Sequence, residues 1–156
     1  MNTYLIIKWL HILSSVLMVG TGFGSAFYMF FANRSGSLAA QAVVSRLVVR
    51  ADWWFTTPAV IFQPISGLWL ASQAGWSWTT PWVLLTLVLY TVAGLCWLPV
   101  VALQLDMARM ATKAHEEGST LPDAYWKKAR LWERLGYPAF LAMLGVYFLM
   151  VYKPQF

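Results

Sequence analysis

The sequence predicts an all-α fold, a bundle of four transmembrane helices in a single domain of 156 residues. Three observations carry that expectation. Hydrophobic residues make up 60% of the chain and charged residues only 11%, where a soluble domain carries about 25% charge. No charged residue lies between Asp52 and Asp106, a run too long for one crossing of about 20 residues and suited to two. Nine of the eleven lysines and arginines fall in two of the three connections between apolar runs. A water-soluble globule, a disordered chain and a nucleic-acid binder are thereby excluded. The single cysteine, Cys96, can form no intramolecular disulfide.

The spans run roughly over 4–32, 53–72, 82–104 and 135–152. The first exceeds the usual apolar core of about 7–15 residues in a signal peptide. Although Ala39, Ala40 and Ala42 offer small residues for cleavage, it is expected to stay as a helix. The second and third spans are separated by Gly75-Trp76-Ser77-Trp78-Thr79-Thr80-Pro81, whose glycine, proline and small polar residues favour a turn. Trp76, Trp78 and Trp82 suit a membrane–water interface.

Orientation follows from the basic residues. The connection 33–52 holds Arg34, Arg46 and Arg50, and the connection 105–134 holds Arg109, Lys113, Lys127, Lys128, Arg130 and Arg134. Both lie on one side of a four-span chain, which the positive-inside rule assigns to the cytoplasm, leaving both termini outside. The two connections are expected to be partly helical. In the first, 38–49 extends the second span. In the second, Thr120-Leu121-Pro122-Asp123 opens a helix. Tyr125, Ala129, Trp132 and Gly136 share one face of that helix. With Lys127, Lys128 and Arg130 it reads as an interfacial segment lying along lipid headgroups.

His11 sits within the first span, where an ionisable side chain is costly and suggests function. A neutral imidazole nitrogen can ligate a metal or haem iron. Lys8, one turn earlier, can snorkel outward or pair with a carboxylate such as a haem propionate. Ser15, Met18 and Gly22 continue that face, where small residues would let a flat macrocycle approach. The bland alternative is a histidine hydrogen-bonded across the bundle. His115, beside Glu116 and Glu117, lies too far along the chain to ligate the same haem and reads as solvated.

The second span carries a polar stripe, Asp52, Thr56, Gln63 and Ser66, near one helical face. Pro58 and Pro64 free backbone carbonyls beside it. Either it lines a ligand cavity, or it is interhelical hydrogen-bonding glue with Asp52 paired to Arg46 or Arg50. Gly20 and Gly24 permit close helix packing, within the bundle or in a homodimer. Met18, Met107 and Met110 could suit a soft metal but fall at opposite ends of the membrane. No hydrolytic triad or phosphate-binding loop is visible.

Four stretches carry a family resemblance: Lys8-Trp9-Leu10-His11-Ile12, Ala51-Asp52-Trp53-Trp54-Phe55-Thr56-Thr57-Pro58, Cys96-Trp97-Leu98-Pro99-Val100 and Leu121-Pro122-Asp123-Ala124-Tyr125-Trp126. On these the chain resembles, over nearly its whole length, an uncharacterised bacterial family of integral membrane proteins. More distantly, its first span is similar to the small four-helix protoporphyrinogen oxidases, which bind haem b. That likeness implies His11 as an iron ligand. Those oxidases also use a lysine in the third span, whereas no lysine or arginine occurs between 53 and 108 here.

The expectation is therefore a multi-pass protein of a bacterial inner membrane that binds haem b through His11. Its role would be redox, as an oxidoreductase or in electron transfer with a quinone or a redox partner protein. The alternative is a haem-free accessory protein binding a small molecule at the polar stripe.

Overall fold

The computed structural model describes residues 2–154, all of whose secondary structure is helical. Helix α1 covers Thr3–Arg34, α2 Leu38–Ala51, α3 Thr57–Gln73, α4 Pro81–Glu116 and α5 Asp123–Tyr152. A π-helical turn, Asp52–Thr56, joins α2 to α3 without a break, so five α-helices make four long rods.

The ends of the rods follow local chemistry. Asn2 caps α1 by accepting from the Tyr4 N–H at 3.0 Å, and Ser37 caps α2 by accepting from the Ala40 N–H at 3.3 Å. The α3–α4 turn falls on the glycine- and proline-rich segment, with Gly75 at φ +78° and Pro81 opening α4. Gly118, at φ +60°, turns the chain after α4, and α5 starts at Asp123 behind Pro122.

The π turn has its cause in Pro58. Proline offers no N–H to the carbonyl four residues back, and its ring collides with that carbonyl. One widened turn absorbs the misfit, with the Thr57 N–H reaching the Asp52 carbonyl five residues back. The turn exposes Trp53, Trp54 and Phe55 while burying Asp52 and Thr56.

Helices α1, α4 and α5 are each long and apolar enough to cross a membrane. At 1.5 Å per residue, rods of 30 to 36 residues reach about 45–54 Å, well beyond a hydrocarbon layer of about 30 Å. Nine of the eleven lysines and arginines gather at one end of the rods. There Met29, Ala42, Met107, Ala111, Tyr125 and Trp132 form a compact buried core between all four rods. Towards the other end the helices pack chiefly as two pairs, α1 with α3 and α4 with α5. Their outer faces present apolar side chains such as Leu5, Val16, Leu95, Leu141 and Phe148.

Two expectations change. The segment after Pro122 does not lie along a headgroup layer: it is the first part of α5, continuous with the apolar helix. Its Tyr125–Ala129–Trp132 face packs on α4 and α1 rather than on lipid, and the basic side chains Lys127 and Arg130 face outward. Nor does Asp52 pair with Arg46 or Arg50. Both arginines point outward, and Asp52 takes its hydrogen bond from Thr56.

Gly20, Gly22 and Gly24 have no neighbour within 4 Å of where a Cβ would stand, so they do not mediate packing within the chain. Of the interfacial tryptophans, Trp78 is exposed, whereas Trp82 is buried under Trp76. Cys96 is a free, partly buried thiol.

The buried Tyr125 hydroxyl donates to Asn33 Oδ1 at 2.6 Å, tying α5 to α1. Tyr125→Phe leaves that oxygen buried without a donor and should cost about 1–3 kcal/mol, seen as a lower thermal midpoint in detergent. A midpoint equal to that of the native protein would show that this hydrogen bond does not hold the core.

Candidate functional site

Besides the Tyr125–Asn33 pair, two polar clusters in the bundle interior hold the candidate residues. The first joins α1 to α3. Ser66 and Gln63, buried on α3, both reach His11: Nδ1 of His11 lies 2.7 Å from Ser66 Oγ, and the Gln63 amide donates to the His11 carbonyl at 2.7 Å. Gly67 makes room for the ring, since a Cβ there would stand 3.1 Å from His11 Cε1.

The proton assignment follows from serine's single hydroxyl proton. Ser66 Oγ lies 2.7 Å from the Phe62 carbonyl, which can only accept. Serine therefore donates to Phe62 and accepts from His11 Nδ1–H. The neutral ring is left with its lone pair on Nε2, the nitrogen that a metal would take.

The second cluster stands at the π turn. Thr56 Oγ1 donates to Asp52 Oδ1 at 2.8 Å. The other carboxylate oxygen, Oδ2, and the Oε1 of Gln104 on α4 are both buried with no hydrogen-bond partner. Asp52 and Gln104 are 4% and 5% exposed. Both line a cavity of about 440 Å³ between the two helix pairs, reaching from the π turn to Met18 and Gly22 on α1.

The cavity walls are otherwise almost wholly apolar, with Trp97, Trp132 and Phe30 near the polar end. Three of its hydroxyls are spoken for. Ser25 donates to the Gly22 carbonyl, Thr56 to Asp52, and Tyr90 to the Val60 carbonyl at 2.7 Å. Glu133, the second acid on the wall, grips Arg34 through both oxygens at 3.0 and 3.3 Å. The hydrogen bond to that carboxylate raises the pKa of the Arg34 guanidinium above its ordinary value, and the guanidinium also covers the Phe30 ring at 3.4 Å.

The sequence-derived sites are thus divided differently from their expected grouping. The polar stripe splits: Gln63 and Ser66 hold His11, while Asp52 and Thr56 face the cavity. The first-span face splits too. Met18 and Gly22 line the cavity, but His11 does not. Lys8 is exposed, and Ser15 donates to the Ile12 carbonyl while its own carbonyl accepts from Tyr147. His115 is exposed in the last turn of α4. Among the described residues no three His, Cys, Asp or Glu side chains gather into a metal site.

Sequence reasoning did not single out Tyr90, Trp97 or Glu133 as cavity residues. Tyr90 carried the one usable signal, a hydroxyl in mid-span that needs an internal acceptor.

A family model described as "Predicted integral membrane protein (DUF2269)" matches residues 5–154. The chain belongs to that family. No curated protein and no solved structure matches it, so the more distant likeness to haem-binding oxidases has no support from these comparisons. The membership makes the chain an integral membrane protein and brings no activity with it.

Nitrogen-15 shifts of labelled His11 should report the Nδ1–H tautomer in the native protein. Ser66→Ala should shift the population towards Nε2–H. An Nε2–H ring in the native protein would overturn the proton assignment.

Proposed function

We propose that this membrane protein binds a small amphipathic molecule in the cavity between its two helix pairs. The observation that carries the reading is the pairing of an apolar volume of about 440 Å³ with two buried, unpartnered acceptors at one end. Ligand sites combine mostly apolar walls with a few orienting polar groups in this way. The adjoining π turn fits too, since such turns recur at functional sites.

Access is from the bilayer. Phe23, Phe27, Tyr137 and Phe140 line the cavity and are also exposed on the outer faces of α1 and α5. The rod formed by α2 and α3 supplies the fourth crossing, for the segment from 53 to 105 is uncharged. With the basic end in the cytoplasm of a bacterial inner membrane, the acceptors lie towards the cytoplasmic side.

In Ala93→Phe a ring would project into the cavity from α4. Native mass spectrometry from mild detergent should find a retained small molecule on the native protein and not on this variant. A native protein that carries no adduct, even after incubation with membrane lipid extract, would count against the reading.

A second reading, ligation of haem b by His11, draws on the Nε2 lone pair that Ser66 leaves free. The cavity itself does not fit that role, because no histidine lines it. Haem would bring one-electron chemistry, with a quinone or a redox partner protein to exchange electrons. Absorption spectra, oxidised and dithionite-reduced, should then show a Soret band that His11→Ala abolishes. A colourless protein after haem supplementation would end this reading and leave the cavity reading untouched.

A further inference from the structure

The cavity wall holds two carboxylates in contrasting states. Glu133 has its counter-charge in Arg34. Asp52 has a hydroxyl from Thr56 on one oxygen, the Gln104 side chain as its remaining polar neighbour, and no cation within ion-pair distance among the described residues. Beside it the Gln104 oxygen also lacks a donor. The hydroxyls of Ser25, Thr56 and Tyr90 all donate to protein acceptors. The polar end of the cavity therefore presents a buried carboxylate with no counter-charge.

From this geometry we infer that the ligand is an amphipathic cation, a protonated amine on an apolar body, whose head seats on Asp52 and Gln104. The inference rests on the cavity reading above and adds the chemistry of the occupant. An ammonium brings up to three N–H donors and a positive charge. It satisfies both orphan oxygens and neutralises the carboxylate, where a lone buried charge is strongly unfavourable. A neutral hydroxyl supplies one donor and leaves the charge uncompensated. The aromatic walls agree, because Trp97, Trp132 and Tyr90 line the same cavity and ring faces attract cations.

A competing partner for the acceptors is solvent. Asp52 and Gln104 also wall a second space of about 10 Å³ against Thr57 and Val101, room for at most about one water. One water could donate to both oxygens, yet it carries no charge. A protonated Asp52 would likewise remove the demand for a cation and make an alcohol the equal of an amine. The experiment separates these cases.

The full chain is reconstituted in phosphatidylcholine nanodiscs, whose zwitterionic surface gives a cation no advantage. 4-Phenylbutylamine and 4-phenylbutan-1-ol, together with shorter and longer homologues, are titrated against it by calorimetry at pH 7. The amine should bind at least about tenfold more tightly than the alcohol of equal length, as expected for a buried charge pair. Asp52→Asn should erase that preference, and Ala93→Phe should abolish binding of both.

Equal binding of amine and alcohol, unaffected by Asp52→Asn but lost in Ala93→Phe, would overturn the cation inference and leave the cavity reading standing. No saturable binding of either series would overturn both. Should Asp52→Asn fail to fold, the amine-to-alcohol ratio in the native protein decides by itself.

Discussion

The buried core at the basic end is the part on which the remaining structure depends. Nine of the eleven lysines and arginines gather at that end, and burial away from water drives Met107, Tyr125, Trp132 and their neighbours together. Along stretches that cross a membrane that drive is missing, because lipid chains are as apolar as the side chains they would replace. A clamp at one end lets the other end stay loosely packed. The rods then separate into two pairs, and the space between them need not collapse.

Hydrogen bonds hold the loose half in register instead. His11 with Ser66 and Gln63 fixes α1 against α3, Tyr90 reaches from α4 to the Val60 carbonyl on α3, and Tyr147 reaches from α5 to the Ser15 carbonyl on α1. Two of these acceptors, the carbonyls of His11 and Ser15, lie one turn apart on the same helix. The pairs are therefore pinned near the middle of α1, while between that level and the basic core the cavity remains open. In this light His11 has a structural duty whatever else it does: its carbonyl and its ring each hold α3.

Much of this architecture was legible in the amino-acid order. The turn around Gly75 and the start of α5 at Asp123 were marked by glycine, proline and small polar residues, whose backbone preferences act locally. All four members of the polar stripe are buried. What the sequence could not show was which partner each would meet. His11 and Ser66 are 55 residues apart, and their meeting depends on how two helices are rotated about their own axes. The same limit explains the segment after Pro122. An apolar face made of Tyr125, Ala129 and Trp132 is the same pattern whether it rests on lipid or on protein. Only the presence of α4 and α1 beside it decides.

Pro58 links the fold to the candidate site. A regular helix from Leu38 to Gln73 would have kept one register along its whole length. The widened turn ahead of Pro58 resets it at the point where the stripe must serve two neighbours. Beyond the turn Gln63 and Ser66 face α1, and within it Asp52 and Thr56 face the cavity. Asp52 is also the last charged residue before the long uncharged run. One turn nearer the basic end, the carboxyl would approach the exposed arginines and solvent. Asp52 thus borders an apolar cavity while Thr56 steadies one of its oxygens.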